Sequence, residues 1–253
     1  MLKFAYLNLK DHPRGNIILL ELLNNNFIPA IIIEENSSLA QKNKNAITSA
    51  VANFNFPQTK EMAAKHNIKV LEVDNHNDEN CILELAKLNL DLIILGDTRV
   101  MKSGIINSAR LGVINSHPGY LPDVRGNNPY IWALANNLPQ GCSVHFIDEN
   151  IDTGDLILRE KIDLKTCPTY PDLLQTINSL CAKLMVEATK QISENTCVRI
   201  PQSQLEKSGD KVRTPTFLAA PSDVKITAIQ KLEGGQIEGD QKLEGASSKS
   251  FQR

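Results

Sequence analysis

Short apolar runs alternate with amphipathic segments along the first 120 residues of the chain. The apolar runs predict five strands, at residues 4–7, 30–33, 69–73, 92–95 and 113–116. Helices are predicted where apolar residues recur at helical spacing, at residues 16–23, 60–66 and 80–88. Strands that alternate with helices form parallel sheets with crossover helices on both faces. We therefore predict an α/β fold with a doubly wound, mostly parallel sheet.

The second half of the chain predicts two more strands, 142–147 and 156–162, which follow a short helix at 129–134. A long helix comes next, because apolar residues recur at intervals of three and four behind Pro171. These residues are Leu173, Ile177, Leu180, Cys181, Leu184, Ala188 and Ile192. We expect this apolar face to pack on the sheet.

Beyond residue 195 the apolar pattern weakens. Residues 201–222 predict one or two short strands, and the sequence QKLEG at 230–234 returns at 241–245 in a stretch with little to bury. We therefore predict a main domain at 1–195, a short C-terminal appendage at 196–229 and a disordered tail at 230–253.

Composition removes several classes of protein. The net charge of −2 is not typical of proteins that bind nucleic acid mainly through phosphates, so no nucleic-acid partner is expected. The five cysteines are scattered and form no CxxC pair, which argues against a zinc site or a disulfide framework. No apolar run is long enough to span a bilayer, and no signal-peptide pattern opens the chain. These features predict a cytoplasmic protein that is not inserted in a membrane.

The candidate chemistry lies at the end of the fifth predicted strand. Asn115 and His117 stand two residues apart, so on a strand both side chains leave the same face, and Pro118 ends the strand. Asp152 follows in an acidic turn after the next strand. The carboxyl ends of strands are where open α/β sheets bind ligands. Each signal is weak alone, because an N-x-H tripeptide arises by chance and an Asp in a turn usually serves the turn.

Two other features have a structural interpretation beside a functional one. The first strand–helix connection lacks the G-x-G-x-x-G series of dinucleotide sites, but Arg14 and Gly15 could bind an anion at the helix start. The alternative is that Pro13 and Gly15 only shape the turn. His145 lies on an apolar strand, where a buried structural residue is favoured over one that lines the site.

Two longer runs carry a resemblance to a known family. NSHPGYLPDVRG at 115–126 resembles the signature of the formyltransferases that use 10-formyltetrahydrofolate, and GCSVHFIDENIDTG at 141–154 resembles their second motif. The similarity is dense over residues 91–164 and looser elsewhere. It implies a Rossmann-like formyltransferase fold and an enzyme that transfers a one-carbon group.

The resemblance also implies roles for individual residues. Asn115, His117 and Asp152 would be catalytic: Asn115 donates to the oxyanion of a tetrahedral intermediate, and His117, paired with Asp152, moves protons. The co-substrate 10-formyltetrahydrofolate would bind without a metal. Its contacts would be Leu95, Gly96, Thr98, Arg99, Val100, Asp148 and Ile151.

The acceptor amine is less well defined. Arg125 and Gly126, with Pro129 and Trp132, resemble the methionyl-tRNA and amino-sugar branches of the family more than the glycinamide ribonucleotide branch. We expect the acceptor to contact Arg14, Gly15, Arg125, Gly126 and Trp132. An amino-sugar nucleotide is the first choice, by elimination. A formyltetrahydrofolate hydrolase, a transferase acting on either other acceptor, and a non-catalytic folate-binding protein stay open, as does a homodimer.

Overall fold

The computed structural model describes residues 2–50, 56–205 and 216–235. In the described part of the first half, five strands alternate with helices, and two helices lie between the second and third strands. The strands are β1 (Phe4–Leu9), β2 (Ile31–Glu35), β3 (Val70–Val73), β4 (Leu92–Leu95) and β5 (Val113–His117). The helices are α1 (Pro13–Asn24), α2 (Ser38–Ala50), α3 (Thr59–Lys65), α4 (Glu79–Ala86) and α5 (Ser103–Ile106).

The second half supplies the rest of the sheet and the helices that cover it. Its strands are β6 (Arg125–Gly126), β7 (Gly141–Phe146), β8 (Leu156–Lys161) and β9 (Thr216–Phe217). Its helices are α6 (Pro129–Ala135), α7 (Tyr170–Ser193) and α8 (Ser222–Glu233). Two single 3-10 turns lie at Leu164–Thr166 and Gln202–Gln204.

The main sheet has the order β3-β2-β1-β4-β5-β7-β8. Neighbouring strands are parallel from β3 to β5, whereas β7 and β8 are antiparallel to their neighbours. The predicted doubly wound, mostly parallel α/β fold is therefore confirmed. The chain leaves β1 towards β2 on one side and returns to β4 on the other, which creates the switch point where such sheets bind ligands.

The core consists of two apolar clusters, one on each face of the sheet. Because β1, β2 and β4 are buried on both faces, alternate residues of these strands enter opposite clusters. Tyr6 and Ile94 join the cluster under α1 and α7, while Leu7 and Ile93 join the one under α4 and α5. The long helix α7 begins at a capping box, in which Thr169 and Asp172 satisfy each other's backbone N–H groups.

The C-terminal residues pack on α6. β9 pairs in parallel with β6, and the ring of Phe217 stacks on Trp132 with the centroids 4.9 Å apart. The short strand β9 lies within 201–222, where one or two strands were predicted, but α8 (Ser222–Glu233) was not predicted and crosses the predicted boundary at residue 229. The prediction of disorder is therefore wrong for residues 230–233, and its larger part, 236–253, lies outside the described residues.

Candidate active site

A cleft of about 280 Å³ opens at the carboxyl ends of β1, β4 and β5. The segments that line it are the connection after β1, one side of α2, the loop after β4, the end of β5, residues 126–130 and the loop between β7 and β8. The first four follow the carboxyl ends of the parallel strands β1, β2, β4 and β5, and the last joins the antiparallel strands β7 and β8. The cleft therefore lies at the switch point of the sheet.

Asn115 and His117 project into this cleft from the same face of β5. Asp152 approaches from the β7–β8 loop, where its backbone is left-handed with φ 55°. The imidazole Nδ1 of His117 lies 3.5 Å from Asp152 Oδ2, and its Nε2 lies 3.0 Å from the carbonyl oxygen of Val124. The structure thus brings the three predicted catalytic residues together.

The Asn115 side chain is available to a ligand. Its amide takes part in no hydrogen bond with another described residue, although it is only partly exposed. A buried amide would normally find partners within the protein. The amide is therefore placed to donate to a group that enters the cleft.

Asp152 carries a negative charge in a largely enclosed position, with 13% of its side chain exposed. Burial raises the pKa of this carboxyl, but His117, His145 and the N–H of Gly126 outweigh burial and hold the pKa below its usual value. The Gly126 N–H donates to Oδ2 over 2.8 Å. The carboxylate is consequently ionised at neutral pH and fixed by a backbone donor.

His145 approaches Asp152 from behind the cleft. It is fully buried on β7, where it pairs with Asn115 in the sheet register, and its Nε2 lies 3.6 Å from Asp152 Oδ1. Burial lowers the pKa of His145 to about 4, against the opposing effect of Asp152. His145 is therefore buried, as the sequence favoured. It also lies against the Asp152 carboxylate, and the strand pattern alone does not predict that contact.

The loop after β4 forms the other wall of the cleft. Arg99 donates to Glu35 through Nε at 2.6 Å and Nη2 at 2.5 Å, which fixes the loop to the end of β2. Burial raises the pKa of Glu35, but hydrogen bonds from His76 and Arg99 reverse the shift and hold it well below its usual value. All seven residues predicted to contact the folate line the cleft: Leu95, Gly96, Thr98, Arg99, Val100, Asp148 and Ile151.

The end of the cleft near α1 combines both signs of charge. Arg14 forms an ion pair with Asp97, and His12 Nδ1 lies 3.6 Å from the same carboxylate. Burial lowers the pKa of His12 to about 4 despite the neighbouring Asp97, so this imidazole is neutral at pH 7. Asn43 and Ala46 of α2 complete this end. Sequence patterns did not point to His12, Asn43 or Ala46.

Three of the five predicted acceptor-binding residues do not line the cleft. Gly15 faces Asn8, whose side chain occupies the space that a Cβ would need. Arg125 is buried and donates to the Gln202 side chain over 2.8 Å. Trp132 donates to the carbonyl of Leu218 over 2.8 Å and stacks on the appendage. Only Arg14 and Gly126 reach the cleft, because the other three are used in local packing.

The structure has two further properties that bear on the kind of site. No group of three or more His, Cys, Asp and Glu residues among the described positions could hold a metal ion. Within residues 2–50, 56–205 and 216–235, no helix is both long and apolar enough to cross a membrane.

The fold is that of an α/β protein with a cleft at the switch point of its sheet. An amide, an imidazole and a carboxylate meet in this cleft, and these groups can transfer protons and stabilise an oxyanion on a bound ligand. Residues 23–189 match the family model described as formyl transferase, which covers most of the main domain. The chain belongs to this formyl transferase family. The family predicted from the two sequence motifs is thereby confirmed.

Relatives and solved structures agree with this membership. The chain is 30% identical over 182 residues to a methionyl-tRNA formyltransferase of Lachnospira eligens, which covers 71% of this chain and 58% of the relative. A second one, from Agathobacter rectalis, is 32% identical over 60% of this chain and 49% of its own length. The chain therefore spans about half the length of the curated relatives it matches.

Two solved structures share the fold at low identity. An N-formyltransferase from Helicobacter canadensis, in complex with folinic acid and dTDP-3-aminofucose, superimposes with TM-score 0.61 and 18% identity over 92% of this chain and 81% of that one. A phosphoribosylglycinamide formyltransferase from Streptococcus pneumoniae gives TM-score 0.59 and 16% identity over 76% and 99%.

Proposed function

We propose that this chain transfers a formyl group from 10-formyltetrahydrofolate to a primary amine. The observation that carries the proposal is the meeting of Asn115, His117 and Asp152 at one end of the cleft, with 3.5 Å between His117 Nδ1 and Asp152 Oδ2. Formyl transfer needs a donor to the developing oxyanion and a group that moves one proton, and this trio supplies both.

The reaction balances with these residues alone. The lone pair of the amine attacks the formyl carbon, and the charge that develops on the formyl oxygen is met by the Asn115 amide. The gap of 3.5 Å between His117 and Asp152 is longer than a direct hydrogen bond, so both remain able to bond the reacting amine. The proton lost by the amine passes through this pair to the folate N10 as the bond between N10 and the formyl carbon breaks.

The folate would lie between the loop after β4 and the β7–β8 loop. Val100 and Ile151 are 66% and 42% exposed, and both line the cleft. Exposed apolar side chains at a cleft are suited to cover an aromatic ring such as a pterin, because they lose water when the ring binds. Backbone groups of the same two loops supply the hydrogen bonds that such a heterocycle needs.

For the acceptor we propose an amino-sugar nucleotide. The Helicobacter canadensis enzyme, whose complex contains such a sugar, matches 92% of this chain, whereas the Streptococcus pneumoniae enzyme matches 76%. The difference favours the branch in which a C-terminal segment accompanies the main domain. Arg14, which lines the cleft beside Asp97, offers a cation to a nucleotide phosphate.

Methionyl-tRNA is the second candidate, because the curated relatives quoted above act on it by name. One feature weighs against it, because the net charge of −2 does not favour a phosphate-rich partner. A cytoplasmic location and a homodimer remain predictions.

The test is to incubate the purified chain with 10-formyltetrahydrofolate and one amine at a time, and to measure both free tetrahydrofolate and the formylated product. We expect folate release only with an amino-sugar nucleotide. If folate is released only with methionyl-tRNA or only with glycinamide ribonucleotide, that compound is the acceptor and the proposal of an amino-sugar nucleotide is wrong. Release without any amine would identify a hydrolase, and folate binding without turnover would contradict an enzymatic function.

A further inference from the structure

A glutamine beyond α7 is connected to the candidate site. Gln202 is 3% exposed, although it lies in a short 3-10 turn outside the main sheet. Its side-chain nitrogen donates to the carbonyls of Asp152 and Gly154, at 2.8 and 2.9 Å. Its side-chain oxygen accepts from Nη2 of Arg125 at 2.8 Å. One side chain therefore joins the Asp152 loop to the segment that contains Gly126.

All the donor protons of the Gln202 amide and its acceptor oxygen have partners, and these partners allow only one orientation of the amide. Both protons of the amide nitrogen are donated to carbonyl oxygens, which only accept, and the amide oxygen faces a guanidinium, which only donates. No other side chain of this length provides two donors and an acceptor in that geometry. The contacts are thus specific to glutamine rather than to a buried polar residue in general.

The loop that Gln202 holds has little conformational freedom. Asp152 has φ 55°, and a Cβ at Gly154 would collide with the carbonyl oxygen of Phe146. A left-handed residue other than glycine costs some energy, and contacts around the loop offset it. The Asp152 carboxylate also needs the Gly126 N–H, 2.8 Å away, on the other segment that Gln202 holds.

We propose that Gln202 is a positioning residue, which sets the Asp152 carboxylate against the Gly126 N–H and the His117 imidazole. The expected effect of Gln202 on turnover rests on the proposed function. The expected effect of Gln202 on the Asp152 carboxylate does not. The segment is further fixed to the sheet edge by two hydrogen bonds between Leu156 and Ile200, each 2.9 Å long. Gln202 therefore acts from a rigid base.

The first measurement follows the Asp152 carboxyl directly, by ¹³C NMR titration of the full chain, with the Asp152→Asn variant used to assign the signal. The charged and titratable groups that face Asp152 are His117 from β5, His145 from β7 and Arg125 from β6. In Gln202→Met we expect the titration of Asp152 to move to higher pH, because the carboxylate loses its alignment with the Gly126 N–H. An unchanged titration would overturn the proposal.

Gln204 provides a matched control, since it lies in the same turn with its side chain exposed. Gln204→Met should leave the Asp152 titration and turnover unchanged. If Gln202→Met does not fold, Gln202→Glu serves instead, because it keeps an acceptor towards Arg125 and loses both donors. An equal effect of the Gln204 variant would also overturn the proposal.

The second measurement is a double-mutant cycle on turnover. Gln202→Met should lower kcat about 10-fold or more in the wild-type background, because small displacements of a proton-transfer group are costly. In the Asp152→Ala background it should have almost no further effect, since its target is absent. Equal losses in both backgrounds would mean a merely structural role. A wild type without formyl transfer would refute the proposed function, and the NMR titration would still decide whether Gln202 positions Asp152.

Discussion

The charge on Asp152 offers the sharpest test of the proposed reaction. In Asp152→Asn, the side chain keeps its size and an oxygen for the Gly126 N–H, 2.8 Å away, but it loses the negative charge that faces His117. The substitution therefore separates the electrostatic contribution of Asp152 from its contribution to the shape of the loop. We expect an intact fold and a much lower turnover.

The size of the loss follows from the geometry. Unit charges 3.5 Å apart, the distance between His117 Nδ1 and Asp152 Oδ2, attract by about 5 kcal/mol at an effective dielectric constant of about 20. Solvent reduces this attraction, because 13% of the Asp152 side chain is exposed, and the charge on His117 is present for only part of the reaction. We therefore expect the variant to lose about 3 kcal/mol of transition-state stabilisation. That corresponds to a decrease in kcat of about 10²-fold.

The assay is single-turnover formyl transfer with saturating folate and amine, measured beside thermal unfolding followed by circular dichroism. Burial raises the pKa of Asp152, but His117, His145 and the Gly126 N–H together hold it below its usual value, so the wild-type carboxylate is charged down to acidic pH. The ratio of wild-type to variant turnover should thus stay constant above about pH 5 and narrow at lower pH.

Asp155 provides the control for this variant, because it lies three residues further along the same loop and does not line the cleft. Asp155→Asn should keep turnover within about 3-fold of the wild type. If Asp152→Asn retained comparable turnover, or if both variants lost turnover equally, the role assigned to the Asp152 charge would be refuted.

Four further predictions follow from the same contacts. His117→Ala should lower kcat by about 10²-fold or more with the fold intact by circular dichroism; near wild-type turnover would contradict its role. Arg14→Ala should raise the acceptor KM about 10-fold and leave the folate KM unchanged in steady-state kinetics. Glu35→Gln should destabilise the chain by about 3 kcal/mol in urea unfolding at pH 7, because it leaves Arg99 without its buried charge partner. The pKa of Glu35 is lowered in the folded chain, so this loss of stability should be present above the usual carboxyl pKa. It should shrink as the pH falls through the pKa of the folded state. Removal of residues 234–253 should change neither turnover nor the thermal midpoint, and a large loss of either would mean that these residues dock on the main domain.

The parts of the site that the sequence predicts are those imposed by strand geometry. Asn115 and His117 share a face of β5 because the period of a strand is two, and Pro118 limits the strand. Asp152 stands in an acidic turn, and the resemblance of that segment to the second family motif singled it out. The resemblance also implied the folate loop after β4, whose predicted residues all line the cleft.

The misplaced residues depend on contacts between distant parts of the chain. Trp132 resembles an exposed aromatic residue in a binding segment, but Phe217, 85 residues later, stacks on its ring. Arg125 likewise donates a hydrogen bond to Gln202, 77 residues later. A single sequence contains no periodic signal for such pairs, so a polar or aromatic residue beside a motif is easily assigned to the ligand when it serves the fold.

The acceptor end of the cleft combines both difficulties, which explains why the reaction is easier to infer than its substrate. Helix α2 contributes Asn43 and Ala46, but its sequence SLAQKNKNAITSA is mostly polar, and no helix was predicted there. The opposing ion pair of Arg14 and Asp97 joins two connections that are 83 residues apart. In the proposed function, the groups for formyl transfer lie on or beside regular strands, whereas loops and a polar helix form the part of the cleft proposed for the amine. Exchange of residues 38–50 with those of a related enzyme should therefore change acceptor preference and leave folate binding intact, which isothermal titration with each ligand would measure.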